Sequence, residues 1–201
     1  SSAILSALFA RQNSGQGAYI DMALLDVGVA MMANQALNYL VGGTPPKRLG
    51  NAHPNLVPYA VFDCSDGWII LATGNDGQYK RLCGILGLPE LADAPDYLTN
   101  ANRIANRTAL TERLSLRTRT FTKEALLAAC EAEGVPAGPI NDLSEVFDDP
   151  QIIARGMKVE LDGIPSVRSP MTFTGADLAL NRASPKLGEH DEAVRTSLTA
   201  D

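Results

Sequence analysis

Two short apolar runs near the middle of the chain predict a β-hairpin. They cover residues 57–63 and 68–73 and are joined by an Asp-Gly turn at 65–67. Asp-Gly between two β-rich runs is a strong hairpin signal. Polar clusters precede the first strand, at 50–55, and follow the second, at 74–76. Polar loops at the ends of rigid elements often carry binding or catalytic groups, although ordinary turns account for this composition equally well.

Apolar residues at helical spacing predict the helices. They cover 3–11, 24–40, 76–86, 100–117, 123–133 and 150–155, with a last helix after His190. The expected N-caps are Asn75 or Asp76, Thr122 and Asp149. Further strands are predicted at 18–23, 157–161 and 171–174, and a proline-interrupted loop at 88–97. The stretch 135–139 is expected to be a stiff exit, because its prolines fix the direction of the backbone. The helix at 100–117 is expected to bury Ile104, Leu110 and Leu114.

The first forty or so residues are expected to belong to a larger α/β domain. Their predicted order is helix, strand, helix, and a lone strand lacks the neighbouring strands that its backbone groups need. The chain also begins without Met, at what looks like the first turn of a helix. We therefore expect the sequence to start part-way through that domain. The Gly- and Pro-rich stretch at 41–47 is expected to be a linker.

Charge and apolar content argue against several classes of partner. The 201-residue chain has a formal net charge of −6, whereas nucleic-acid binding depends on clustered Lys and Arg. The arginines at 103, 107, 113, 117 and 119 are interpreted as a solvated helix face. No apolar run approaches the roughly 20 residues needed to cross a bilayer. We therefore expect neither a nucleic-acid nor a membrane partner.

Cysteine and histidine usage fits a cytoplasmic protein without a metal. The three cysteines, at 64, 83 and 130, are widely spaced and form no Cys-x-x-Cys pair, which suits reduced thiols better than a disulfide framework. The two histidines lie far apart in the sequence, which argues against a zinc site. No signal-peptide pattern opens the chain. The expected location is the cytoplasm.

The central stretch also carries a family resemblance. It resembles the signature of the family III CoA-transferases, the CaiB/BaiF group. The residues concerned are Gly50-Asn51-Ala52-His53-Pro54-Asn55, Pro58-Tyr59, Phe62, Asp66-Gly67-Trp68 and Gly74-Asn75-Asp76. Flanking matches are Ala-Arg-x-x-x-Gly-x-Gly-x-Tyr-Ile-Asp at 10–21 and Leu187-Gly188-Glu189-His190. The resemblance covers almost the whole chain.

The resemblance implies an α/β fold class with a particular organisation. Residues 1–41 are then the end of a large nucleotide-binding-like α/β domain, and 42–56 a linker and active-site loop. Residues 57–140 form a small α+β domain, and 141–201 a tail that returns to the large domain. The resemblance also implies an interlocked homodimer, with coenzyme A held mainly by the part of the protein that precedes this chain.

The resemblance further implies transfer of coenzyme A, bound as the acyl-CoA substrate, to a small carboxylic acid. The reaction passes through covalent intermediates on an aspartate, which would lie upstream of Ser1. Such chemistry also needs donors for the developing oxyanion and a lid that excludes water. The chain is expected to supply both, through the loop at 53–56, which is glycine-rich in some members. Here that loop reads His-Pro-Asn-Leu, so the mobility of a glycine segment is not expected.

Five residues are the candidate site residues. Asn51, His53 and Asn55 are interpreted as polar side chains lining the acyl pocket, although a hydrogen-bonded loop histidine without a role in turnover is an equally good interpretation of His53. Leu24 matches a position that contacts the thiol arm of CoA, but on its own it looks like a core residue. Asn75 occupies a position where the racemase branch of the same superfamily carries a proton-transferring glutamate.

Two other functions stay open. An acyl-CoA racemase needs groups that remove and return a proton, and the amide of Asn75 does neither, which favours a transferase. Asn75 is at the same time a good helix cap. A non-catalytic subunit that completes a partner chain is the alternative from another class, because the nucleophile is expected outside this sequence.

Overall fold

The computed structural model describes residues 1–199. The chain separates into two compact units, 1–50 and 51–201, which we call unit 1 and unit 2. Helices and strands are both present, so the α/β fold class is confirmed. The finer division into four segments stays a prediction.

Unit 1 consists of three helices, α1 Ser2–Ser14, α2 Leu24–Met31 and α3 Ala33–Gly42. α1 confirms the first predicted helix and ends at Gly15, whose φ of 71° suits glycine. The predicted strand at 18–23 is wrong, because the segment is irregular and no strand described in unit 1 lies beside it. The single helix predicted at 24–40 is also wrong, since a φ of 43° at Ala33 separates α2 from α3.

The helices of unit 1 expose apolar side chains. No residue of α1, α2 or α3 is buried. Phe9 is 70% exposed and Leu25 is 78% exposed. Apolar surface on this scale is typical of faces that pack against more protein. It agrees with the expectation of a larger domain, which stays a prediction.

Unit 2 contains a three-stranded antiparallel sheet in the order β1-β2-β3. The strands are β1 Tyr59–Cys64, β2 Gly67–Ala72 and β3 Ala137–Ile140. The predicted hairpin is confirmed, with Tyr59 opposite Ala72 and Cys64 opposite Gly67. The stretch 135–139, expected to be a stiff exit, runs into a third strand, since β3 pairs with β2 from Ala137 onward.

Pro139 fits into β3 because of the direction that its nitrogen faces. Ala72 N donates to Pro136 O at 2.9 Å. Since bonding alternates along an antiparallel pair, the even-numbered residues of β3 bond to β2 and Pro139 faces the outer edge. A proline nitrogen has no hydrogen to donate, and at an outer edge none is needed. The prolines expected to stiffen this stretch are therefore compatible with an edge strand.

Five helices lie between β2 and β3 in the chain. They are α4 Asp76–Ile85, α5 Pro89–Asp93, α6 Asn100–Ala105, α7 Arg107–Thr118 and α8 Lys123–Ala132. The sheet buries Phe62, Ile69 and Leu71 in the same core as Leu110, Leu114 and Leu126 of the helices. This shared core is the main apolar contact of unit 2.

The predicted helices of unit 2 are confirmed in outline and corrected in detail. The loop predicted at 88–97 contains α5, which begins with Pro89 at its first position. The helix predicted at 100–117 is interrupted at Asn106, which ends α6 and precedes α7. Ile104 is 37% exposed, so the prediction that it is buried is wrong. It sits on the outer side of the short helix α6, whereas the inner side carries Arg103.

The N-caps predicted from the sequence are confirmed. Asn75 Oδ1 accepts a hydrogen bond from Gln78 N, and Thr122 Oγ1 accepts one from Ala125 N. Asp149 Oδ1 accepts from Gln151 N. Each of these bonds satisfies an amide that has no partner within the first helical turn.

Arg103 overturns the prediction of a solvated arginine face. The residue is only 1% exposed. Its guanidinium donates to Val57 O at 2.7 Å and to Tyr97 O at 3.0 Å, and pairs with Asp76 Oδ1 at 2.7 Å. Its Cζ lies 4.3 Å from the centroid of the Tyr79 ring, a cation–π distance. Charge runs are usually solvated, but here the planar guanidinium satisfies several buried acceptors at once.

The last part of unit 2 is built from short elements. They are α9 Leu143–Asp148, α10 Pro150–Ala154, β4 Lys158–Leu161, β5 Ile164–Val167 and α11 Asp191–Leu198. β4 and α11 confirm predicted elements, and β4 pairs with β5 across the turn at Asp162-Gly163. The strand predicted at 171–174 is wrong, since the segment forms only one isolated bridge, from Phe173 to Ala176. The partner of β4 is the nearer segment, which makes a hairpin through a two-residue turn.

Replacing Arg103 with alanine should destabilise unit 2. The change leaves buried carbonyls without a donor, and we expect the free energy of unfolding to fall by about 3–5 kcal/mol. Urea denaturation followed by the fluorescence of Trp68, the single tryptophan of the chain, measures the loss. Arg113→Ala is the matched control, because Arg113 makes only an exposed pair with Glu90; its effect should stay below about 1 kcal/mol. Equal effects would contradict the role given to Arg103.

Candidate active site

Both polar clusters lie at the same end of the hairpin. The chain enters β1 from the loop 51–58 and leaves β2 at 73–76, and the two strands run antiparallel. Thr73 ties the two segments together, since its N and its Oγ1 both donate to Pro58 O, at 3.1 and 2.7 Å. The structure therefore carries the candidate asparagines and His53 on neighbouring segments of one rigid element.

His53 is held by three contacts, one of which sets the tautomer of its ring. Its backbone N donates to Tyr59 O at 2.8 Å, and its ring stacks on the Tyr59 ring with centroids 5.2 Å apart. Its Nδ1 accepts from Asn55 N at 3.0 Å. A ring nitrogen that accepts carries no proton, so in the neutral ring the proton is on Nε2. His53 thus presents Nε2–H as its hydrogen-bond donor.

Asn51 supports the outer edge of β1. Its Oδ1 accepts from Val61 N at 3.1 Å, and His53 N bonds to Tyr59 O two residues earlier on the same edge. The loop therefore covers the first half of the open side of β1, where the strand has no partner strand. The side-chain oxygen of Asn51 is bound to the strand edge, so its amide nitrogen is the group that remains for the predicted pocket-lining role.

The backbone of the loop is bound from the other side by α6 and α7. Asn100 Nδ2 donates to Asn55 O at 2.8 Å, and Val57 N donates to Asn100 Oδ1 at 3.1 Å. Arg107 Nη2 donates to Pro54 O at 2.7 Å, and burial lowers the pKa of Arg107. These contacts agree with the expectation that the loop lacks the mobility of a glycine segment.

Asn100, Arg103 and Arg107 also belong to this region, although they were not predicted from the sequence. They are spaced i, i+3 and i+7, which places them on one side of a helical stretch. A polar stripe at this spacing opposite a buried stripe is also the ordinary pattern of an exposed helix face. The sequence signal existed, but nothing in it distinguished a polar stripe facing solvent from one facing a loop.

Asn75 and Asp76 begin α4 beside this loop. Asn75 Oδ1 caps the helix by accepting from Gln78 N at 2.9 Å, and Gln78 Oε1 accepts from Gly74 N at 2.7 Å. Arg103 joins Asp76 to the loop, since it pairs with Asp76 through Nη2 and donates to Val57 O through Nε. The helix start and the His53 loop are thus held by one guanidinium.

Leu24 belongs to unit 1, whereas the other candidate site residues belong to unit 2. It is the first residue of α2 in unit 1, and it is 89% exposed. Within the part of the chain that the structure describes, Leu24 is therefore not a core residue. Its predicted contact with the thiol arm of CoA stays a prediction.

Comparison with known proteins places the chain in a family. The model of CoA-transferase family III matches residues 1–191. The chain belongs to CoA-transferase family III. The resemblance to the CaiB/BaiF group is thereby confirmed.

Several relatives of this family III chain have named activities. The chain is 50% identical to a succinate–glutarate CoA-transferase of Agrobacterium fabrum, over 98% of the chain and 50% of the relative. It is 38% identical to a human succinyl-CoA:glutarate CoA-transferase, over 94% of the chain and 44% of the relative. The chain therefore spans about half the length of the curated relatives that it matches.

A solved structure shows the same fold. A CaiB/BaiF family protein from Brucella suis is 51% identical to this family III chain and superposes with a TM-score of 0.80. The match covers 98% of the chain and 52% of that protein. The mixed α/β fold described above is thus a fold of this family.

The described part of the family III chain contains neither a cluster of metal ligands nor a membrane-spanning helix. Within residues 1–199 there is no group of three or more His, Cys, Asp or Glu side chains arranged to hold a metal ion. Nor does this part of the chain contain a helix that is long and apolar enough to cross a membrane.

The cap formed by Asn75 in this family III chain is directly testable. Asn75→Ala removes the acceptor for Gln78 N, and we expect a loss of about 1 kcal/mol in the free energy of unfolding. Asn75→Asp is the matched control, because it keeps an accepting oxygen at the start of α4 and should retain nearly all the stability. Urea denaturation monitored through Trp68 measures both. If Asn75→Ala were as stable as the parent chain, the cap would have no energetic role.

Proposed function

We propose that the complete protein containing this chain transfers coenzyme A from an acyl-CoA donor to a carboxylic acid. The observation that carries the proposal is the family III match over residues 1–191. The proposal assigns this chain the polar loop around His53 and the start of α4. The proposal assigns the covalent chemistry to an aspartate upstream of Ser1; a span of about half the length of the relatives leaves room for such a residue outside this chain.

The proposed substrates are short dicarboxylic acids and their CoA thioesters. Relatives are named for the dicarboxylic acids succinate, glutarate, oxalate and mesaconate. The relative from Agrobacterium fabrum, at 50% identity, is named for succinate and glutarate. We therefore take succinyl-CoA as the donor and a dicarboxylate such as glutarate as the acceptor.

The proposed role of His53 follows from its protonation. Attack of the proposed aspartate carboxylate on the thioester carbonyl forms a C–O bond, which gives an acid anhydride, and breaks the C–S bond, which releases the thiolate of CoA. The carbonyl oxygen carries negative charge in the transition state. A preorganised N–H donor stabilises that charge. His53 Nε2–H is such a donor, because Nδ1 is occupied by Asn55 N. Asn51, Asn55 and Asn75 complete the polar lining in this proposal.

Asn75 argues against the racemase of the same superfamily. A racemase must remove and return the proton next to the thioester. An amide does not exchange protons in this way, and the oxygen of Asn75 is already bound to Gln78 N. Transfer is the better supported reaction.

We further propose a contact for Leu24, an oligomeric state and a location. Leu24 contacts the thiol arm of CoA, and the complete protein is an interlocked homodimer. The location is cytoplasmic, which Cys64, Cys83 and Cys130 support because all three are free thiols and buried. Burial raises the pKa of Cys130 to about 11, which keeps that thiol protonated and unreactive near neutral pH.

The reaction can be tested with the purified complete protein. Mixing it with succinyl-CoA and a panel of mono- and dicarboxylic acids should give the CoA thioester of a dicarboxylic acid, followed by chromatography and mass spectrometry. Exchange of an α-proton into deuterated solvent without transfer would favour the racemase. Transfer by the 201-residue chain alone would reject the placement of the nucleophile upstream.

Replacing His53 with alanine should slow transfer. Removal of one oxyanion donor typically costs about a hundredfold in rate, and we expect kcat/KM for succinyl-CoA to fall by about that factor. The control is His190→Ala, because His190 is the other histidine of the chain and is exposed at the start of α11. An unchanged rate in His53→Ala would remove His53 from the proposed site.

A further inference from the structure

We propose that Asn100 and Arg107 are positioning residues for the transfer reaction, because they fix the loop that carries His53. The inference rests on the proposed function, since it assigns these residues an effect on rate through His53. Neither side chain needs to touch substrate. What they set is the location and direction of His53 Nε2–H.

Asn100 uses both ends of its amide on the loop. Its Nδ2 donates to Asn55 O at 2.8 Å and its Oδ1 accepts from Val57 N at 3.1 Å. One side chain thus replaces the pair of backbone bonds that a neighbouring strand would supply. Asn55 N in turn donates to His53 Nδ1. Asn100 therefore holds Asn55, the residue that sets the tautomer of the His53 ring.

Arg107 holds the loop one residue closer to the histidine. Its Nη2 donates at 2.7 Å to the carbonyl of Pro54, which directly follows His53. The side chain is half-buried, and this burial lowers the pKa of Arg107. A charged hydrogen bond that is partly shielded from water is stronger and more directional than a solvated one.

The opposite side of the loop is held by β1, through Asn51 and through the bond from His53 N to Tyr59 O. The loop therefore lies between a strand edge and a helical stripe. Loss of the contacts made by either Asn100 or Arg107 leaves the contacts with β1 and the contacts of Arg103 in place. The fold should then survive while the ring of His53 moves, and displacements of about 1 Å near a reacting centre can cost about a hundredfold in rate.

The experiment compares four single variants of the complete protein. Asn100→Ala and Arg107→Ala remove the two tethers. Asn102→Ala is the control for the first, since Asn102 lies on the same helix but donates to Pro95 O instead. Arg113→Ala is the control for the second, since Arg113 lies on α7 but pairs with Glu90.

Two readouts separate positioning from a general structural effect. Hydrogen exchange followed by mass spectrometry should show faster exchange of peptides covering 53–57 in the tether variants, by about tenfold, and no change in the controls. Transfer kinetics should show kcat lowered by about tenfold or more with KM changed by less than about threefold. Arg107→Lys keeps a donor and should recover part of the lost kcat.

The double variants with His53→Ala decide whether the effect passes through His53. If it does, adding Asn100→Ala or Arg107→Ala to His53→Ala should change the rate by less than about twofold, because the group being positioned is already gone. Full additivity would overturn the positioning role. So would normal kcat in both tether variants, whatever their thermal stability. Failure of the proposed function would look different. The parent protein would then not transfer CoA, or His53→Ala alone would leave the rate unchanged.

Discussion

The guanidinium of Arg103 contacts groups from three separate stretches of unit 2. These are the loop before β1, through Val57 O; the segment before α6, through Tyr97 O; and the start of α4, through Asp76 and the ring of Tyr79. A flexible ammonium group could not satisfy acceptors in so many directions, whereas a planar fork with five donors can. The cost of burying the charge is offset because Nε, Nη1 and Nη2 each donate to an acceptor and the ring of Tyr79 lies against the group. This one side chain fixes the relative positions of the hairpin end and of the helices that surround it.

The candidate site inherits its rigidity from this arrangement. The His53 loop contains no regular structure, yet its backbone groups bond to β1 on one side and to α6 and α7 on the other. The start of α4, with Asn75 as its cap, is tied to the same centre through Asp76. A reaction that needs a donor held at one place is well served by a loop built in this way, because the ordering entropy is lost on folding and not at the moment of reaction.

The sequence predicted what depends on neighbouring residues and missed what depends on distant ones. The hairpin, the helix caps and the glycine at the end of α1 were predictable, because a turn pair, a capping side chain and a left-handed φ each act within a few residues. β3 was not predicted, because its prolines indicated only a stiff exit, and only the register with β2 shows that Pro139 faces outward. Arg103 was taken for a surface residue because its acceptors, Val57 O and Tyr97 O, are backbone atoms that no sequence pattern reveals. For the site, the family signature predicted His53 and its neighbours. The role of Asn100 and Arg107 as tethers could be recognised only from the fold.

The two outer edges of the β1-β2-β3 sheet have a consequence for the behaviour of the protein at high concentration. On β1 the loop occupies the carbonyl of Tyr59 and the amide of Val61, and on β3 a proline nitrogen takes the place of an outward-facing donor. Neither border offers an uninterrupted row of donors and acceptors to a strand from another molecule. The sheet is thus protected against growth into intermolecular β-aggregates. Asn51, whose side chain accepts from Val61 N, contributes to this protection.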